Sequence, residues 1–332
     1  MLATLVQFVL AAGAIVVAGT YLSRFADDLA EQTGLGRMLI GSVLLAGTTS
    51  LPELTVDISA VRLGAANLAV GDLLGSSLMN LLILAVLDLS SRSRGKMLSP
   101  ESAAHALSGG VSGVLTLLVA LGLLVGPAWK GMTWGGVSVV LWLVTLAYGL
   151  GLRLVYLDQR ISLRTPREHS PPHCSPRSLQ SAAAGFLICA AVILLAGPWL
   201  AHAADRLAEL SGLGGTFVGT TLVALSTSLP ELVSSLAALR LGAHDLAIGN
   251  VFGSNAFNMI LLVPLDLVQP GSLLAVVSPT HALTCITAVL GTQVAVLGQV
   301  YRVERRRPFI EPDAWLVILV VLSGLGLVYA HR

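Results

Sequence analysis

Ten apolar runs, each long enough to cross a bilayer, take up most of this sequence and leave it few ways to fold. They fall near 2–23, 37–62, 67–89, 102–126, 133–152, 179–201, 214–240, 245–267, 276–299 and 313–330. In hydrocarbon every backbone N–H and C=O must be satisfied within the protein, so runs of this length become helices. Of the 332 residues 55% are hydrophobic and 11% charged, and the mean hydropathy is +0.84, so the outer surface faces lipid. The expected fold class is an all-α polytopic membrane protein. A net charge of +1 with no basic patch gives no reason to expect a nucleic-acid partner. Cys174, Cys189 and Cys285 are scattered and odd in number, which gives neither a disulfide framework nor a zinc site. The first run begins without a basic segment and reads as a spanning helix rather than a cleaved signal.

The longest polar interval, 153–178, holds four prolines and five arginines and reads as a cytoplasmic linker. It divides the chain into an N-terminal five-helix half, 1–152, and a C-terminal five-helix half, 179–332. It is too short for a folded regulatory domain, and no obligate protein partner is expected. With ten spans, fifteen of the nineteen Lys and Arg fall on one side, leaving Arg62, Lys130, Arg206 and Arg332 on the other. The basic side is cytoplasmic by the positive-inside rule, which puts both termini outside. Short loops and an arginine-rich, lysine-poor composition suggest a prokaryotic plasma membrane.

Residues 27–89 align with 205–267 without a gap, at a constant offset of 178. The matches run from Asp27/Asp205 and Gly41/Gly219 through Pro52/Pro230 and Glu53/Glu231 to Asn80/Asn258 and Asp88/Asp266. An offset of five spans is odd, so the copies enter the membrane from opposite sides. Such an inverted repeat is the architecture of secondary transporters, whose sites lie near the midplane on broken helices.

Each copy carries two polar motifs inside an apolar run. Gly47-Thr48-Thr49-Ser50-Leu51-Pro52-Glu53 is answered by Leu225-Ser226-Thr227-Ser228-Leu229-Pro230-Glu231. An ionisable residue at that depth is costly and points to function. Proline lacks an N–H, so carbonyls near Thr48–Thr49 and Ser226–Thr227 are expected to lose helical partners. The second motif, Gly71-Asp72-Leu73-Leu74-Gly75-Ser76-Ser77-Leu78-Met79-Asn80, is mirrored by Gly249-Asn250-Val251-Phe252-Gly253-Ser254-Asn255-Ala256-Phe257-Asn258. Ser76 and Asn80, and likewise Ser254 and Asn258, stand four apart on one helical face. Carboxylates, hydroxyls and freed carbonyls form a donor set for a hard cation such as calcium. Sodium would compete for the same oxygens.

The paired motifs resemble the alpha repeats of prokaryotic sodium/calcium exchangers, in the calcium/cation antiporter superfamily. The resemblance covers both repeats and the ten-span layout. It implies antiport of calcium against sodium by alternating access, with no covalent step and no cofactor beyond the transported ions. It implies Glu53 and Glu231 as shared calcium and sodium ligands, with Thr49 and Thr227 adding carbonyl or hydroxyl oxygens. Ala46, Ser50, Ser76, Ala224, Ser228 and Ser254 would line flanking sodium sites, with Asn80 and Asn258 at the middle.

The chain departs from the family pattern in places. Some members carry Asp at a position matching Asn80 or Asn258, and Ser77 replaces the usual Asn. Asp72 stands where the family has Asn, about 12 Å before Asn80 along the helix, which suggests an outer access path. Asp57, whose mate is Ser235, reads as a vestibule residue. A divalent cation/proton antiporter is therefore the nearest alternative, and an uncoupled cation channel is a second. The bland readings are a structural carboxylate for each Glu, interhelical bonding for the hydroxyls and amides, a helix cap for Asp72, and interfacial helix ends for Asp88 and Asp266. No metalloprotease His-Glu-x-x-His and no Gly-x-Ser-x-Gly elbow occurs, so enzymatic activity is not expected.

Overall fold

The computed structural model describes residues 2–90, 103–126, 128, 132–164, 177–211, 226–300 and 312–330. The apolar runs form helices α1 (Leu2–Thr33), α2 (Arg37–Thr49), α3 (Leu51–Arg62), α4 (Ala66–Ser90), α5 (Ala103–Val125) and α6 (Val139–Arg164). After these come α7 (Leu179–Ser211), α8 (Leu229–Arg240), α9 (His244–Val268), the single turn α10 (Leu273–Val276), α11 (His281–Val300) and α12 (Pro312–Ala330). Seven of them are long and apolar enough to cross a membrane, and α2 with α3 forms an eighth span bent by 42°. The expected run 214–240 is met in part by α8, because residues 212–225 lie outside the described residues.

Three helix ends differ from the expected runs. α6 runs to Arg164, well into the interval read as linker. Residues 153–164 mix apolar with polar side chains and are mostly good helix formers, and Gln159 is buried there, accepting a hydrogen bond from the Leu39 N–H at 3.0 Å. At the other end of the same run, 133–138 is not helical. Strand β1 (Thr133–Trp134) pairs antiparallel with β2 (Val137–Ser138). Gly135 and Gly136 both have positive φ, 60° and 83°, as a tight two-residue hairpin demands. Third, α11 starts only at His281, after the turn α10.

The chain divides into two compact units, each drawing on both halves of the sequence. One holds Met1–Pro52 and Gly151–Gly253, the other Glu53–Leu150 and Ser254–Arg332. In the first, α1 packs along α7 and α8. The start of α9 meets α2 where Gly41 faces Gly249. A Cβ on Gly41 would sit 2.6 Å from the Leu246 carbonyl, and one on Gly249 2.7 Å from that of Met38, so backbone touches backbone only because neither residue has a side chain. In the second unit α11 packs on α4, α5 and α12. Its core includes Leu73, Leu74, Val119, Leu123, Met259 and Leu262.

Asp88 and Asp266, expected at the interface, are both buried in the protein. Asp266 accepts hydrogen bonds from the N–H of Ser138 (2.6 Å) and of Leu273 (2.5 Å). One carboxylate at the end of α9 thus ties down the hairpin and the turn before α10.

Candidate functional site

The two copies of the proline motif build the same local break. Ser50 ends α2 at φ −88°, ψ 3°, and Ser228 precedes α8 at φ −84°, ψ 4°. The following Leu-Pro-Glu then starts a new helix, with proline in the first turn, where its missing N–H costs nothing. One turn ahead of the first break, beyond the α-helical Ala46–Thr49, α2 is widened into a π-helical stretch, Gly41–Leu45. The expected loss of carbonyl partners is smaller than proline alone implies. Ser50 N–H reaches the Ala46 carbonyl at 3.1 Å, and the Thr48 carbonyl is taken up by a backbone N–H at the cap.

Each break carries a glutamate out of contact with solvent: Glu53 and Glu231 are both 0% exposed. In the first unit, Glu231 accepts a hydrogen bond from the Ser50 hydroxyl at 3.4 Å. Thr49 lies 3.4 Å from the amide oxygen of Asn250, and Asn250 donates to the Ser234 and Ser235 hydroxyls at 3.1 and 2.9 Å. Ala46, Thr227 and Ser228 are buried in the same unit, while Ala224 lies outside the described residues.

The second unit holds Glu53, Ser76, Asn80, Ser254 and Asn258, all buried. Here α4 and α9 cross through their amides. Asn80 Nδ2 donates to Asn255 Oδ1 at 3.0 Å, and Asn258 Nδ2 donates to Ser77 Oγ at 3.4 Å and to the Leu73 carbonyl at 3.3 Å. Asn255 Nδ2 completes the crossing to the Ser77 carbonyl at 3.2 Å. Ser77 and Asn255 are repeat mates, as are Asn80 and Asn258. Exchanging the copies turns one pair into the other, as a twofold axis requires. Moving from Ser77 to Asn80 along α4 means moving back from Asn258 to Asn255 along α9, so the copies run antiparallel.

The crossing leaves a chemically useful remainder. Both Asn80 and Asn258 spend their NH2 groups on the opposite helix, while their amide oxygens are buried with no hydrogen-bond donor among the described residues. Buried acceptors left this way cost free energy, and a hard cation placed against them would remove the cost. Asp57 is buried and Asp72 half-buried, on α3 and α4 of this unit. The motif reading assigned no role to Asn250 and Asn255, although both stand inside the quoted motif. Their partners lie on other helices, so spacing along the chain carries no sign of them.

The family model for the sodium/calcium exchanger protein matches residues 3–163 and 181–331. The chain belongs to the sodium/calcium exchanger family. It is thus a multi-pass membrane protein of a transporter family. It is 28% identical to CaxA of Alkalimonas amylolytica, over 84% of this chain and 86% of that one. An 80-residue stretch, 24% of this chain and 23% of its relative, is 45% identical to the sodium/calcium exchanger MaX1 of Methanosarcina acetivorans. The fold superposes on the sodium-calcium exchanger NCX_Mj soaked with sodium and calcium with a TM-score of 0.71, at 19% identity, covering 100% of this chain and 99% of that one.

Proposed function

We propose that this exchanger-family chain moves calcium against sodium by alternating access, with Glu53 and Glu231 as its charged ligands. The observation that carries this reading is the pair of buried amide oxygens of Asn80 and Asn258, one from each antiparallel copy. To this reading the motifs add the hydroxyls of Thr49, Ser50, Ser76, Thr227, Ser228 and Ser254, with Ala46 and Ala224 assigned to the sodium sites. Two ionised glutamates balance one divalent ion, and calcium takes about 6–8 oxygens, which the glutamates and amides together approach. Family membership supports sodium as the counter-ion, and the hydroxyl-rich motifs suit it. The chemistry is binding and release, with no bond made or broken.

The layout that goes with this is ten spans in two inverted halves, 1–152 and 179–332, with 153–178 between them. Support comes from the gapless repeat, the antiparallel crossing of α4 with α9, and the fifteen-to-four division of Lys and Arg. That division favours both termini outside, and the short loops with an arginine-rich, lysine-poor composition favour a prokaryotic plasma membrane. The deciding experiment is calcium flux in proteoliposomes with sodium and pH gradients imposed separately. The sodium gradient should drive flux, and Glu53→Gln or Glu231→Gln should abolish it. Unchanged flux in both variants would refute the ligand assignment, and flux driven by the pH gradient alone would make protons the counter-ion.

A further inference from the structure

The two repeat copies differ in charge at a pair of positions that a hydrogen bond joins in one of them. In the second copy Asn250 on α9 donates to Ser235 on α8 at 2.9 Å, a neutral pair that satisfies itself. Their mates in the first copy, 178 positions earlier, are Asp72 on α4 and Asp57 on α3. The two repeat positions that hold a donor against an acceptor in one copy carry two carboxylates in the other. Asp72 stands close enough to Asp57 for its charge to act on it. Asp57 is 1% exposed, and the Oδ2 atoms of both residues are buried without a hydrogen-bond partner among the described residues. Neither carboxylate can donate to the other, and two such charges persist in a buried setting only with a positive partner.

We propose that Asp57 and Asp72 form a second divalent-cation site, distinct from the Glu53 and Glu231 ligand set. Two aspartates supply the −2 that a divalent ion neutralises, and up to four of its oxygens. No third His, Cys, Asp or Glu joins them among the described residues. The remaining ligands are therefore neutral oxygens, water among them, and the site is weak. Its position suits a relay. Asp57 follows Glu53 by four residues and Asp72 precedes Ser76 by four, so each stands about 6 Å, one helical turn, from a candidate ligand on the same face. A partly hydrated calcium ion can pause there before giving up its water. The proposal rests on the antiport reading only for the choice of calcium.

The test counts calcium bound to the purified full-length chain, using radiolabelled calcium in equilibrium dialysis. Glu53→Gln/Glu231→Gln should retain one weakly held calcium per chain. Adding Asp57→Ser and Asp72→Asn should remove it. Those substitutions install the pair that the second copy already carries, so the fold has a precedent for them, and a monodisperse elution profile checks it. Absence of calcium from the doubly Gln-substituted chain overturns the proposal. So does an unchanged count after Asp57→Ser/Asp72→Asn, including the case where the aspartates bind a proton instead. Neither count depends on whether sodium-driven flux survives in the glutamine variants, so the antiport reading and the second site fail separately.

Discussion

Replacing Asn255 with alanine probes the amide crossing. The substitution removes the 3.0 Å bond from Asn80 and the 3.2 Å bond to the Ser77 carbonyl. The carbonyl keeps its place in the ladder of α4, but the buried Asn80 NH2 is left without that acceptor. Interhelical hydrogen bonds in membrane proteins average about 0.6 kcal/mol each, and an orphaned buried donor adds about 1–3 kcal/mol. The second effect dominates, so stability should fall by roughly 2–4 kcal/mol. Function should change by a different route. The Asn80 side chain, no longer held, must be ordered when calcium binds, at about 0.5–1.5 kcal/mol, which is roughly a two- to twelvefold loss of affinity. Asn80→Ala loses the ligand oxygen itself. The double variant should therefore bind calcium no more weakly than Asn80→Ala alone, because Asn255 acts through Asn80. Titration of calcium in detergent measures all three. Unaltered affinity in Asn255→Ala, or additive losses in the double variant, would refute the assignment of Asn80 as an oriented ligand.

Other substitutions test the frame that holds the site. Gly249→Ala places a Cβ 2.7 Å from the Met38 carbonyl and should cost about 1–3 kcal/mol in thermal unfolding as α2 and α9 are forced apart. Gly75→Ala, where a Cβ meets nothing within 4 Å, should be neutral or raise stability by up to about 1 kcal/mol through helix propensity. Asp266→Ala removes two charge-assisted bonds, to Ser138 and Leu273. It should destabilise by about 3 kcal/mol or more, read as a lower midpoint in detergent. The sodium-to-calcium flux ratio of the protein that remains folded should be unchanged.

The elements legible in the sequence were those set by local or repeated patterns. Apolar length located the spans, and the constant offset of 178 exposed the repeat and singled out Glu53 and Glu231. Proline in both motifs foretold the breaks at Ser50 and Ser228. What escaped was decided by partners far along the chain. Gln159 extends α6 because it caps Leu39, 120 residues away. Asn255 and Ser77 meet only because two helices cross, and Asp266 is buried because two backbone N–H groups converge on it. The hairpin at 133–138 was the exception, since adjacent glycines between Thr133-Trp134 and Val137-Ser138 carry its signature. The apolar character of the surrounding run outweighed it.

The crossing of α4 and α9 has a kinetic meaning. Were the copies identical, swapping their roles would yield two carriers of equal energy, one open to each face of the membrane. They are unequal at the crossing itself. The Asn255 side chain makes two bonds across it, whereas the Ser77 hydroxyl accepts one, from Asn258, and turns its own proton back to Leu73 of the same helix. One interhelical bond of about 0.6 kcal/mol corresponds to roughly a threefold preference. If alternating access keeps this bond in one facing and breaks it in the other, the idle carrier leans toward one compartment by that factor with no ion gradient applied.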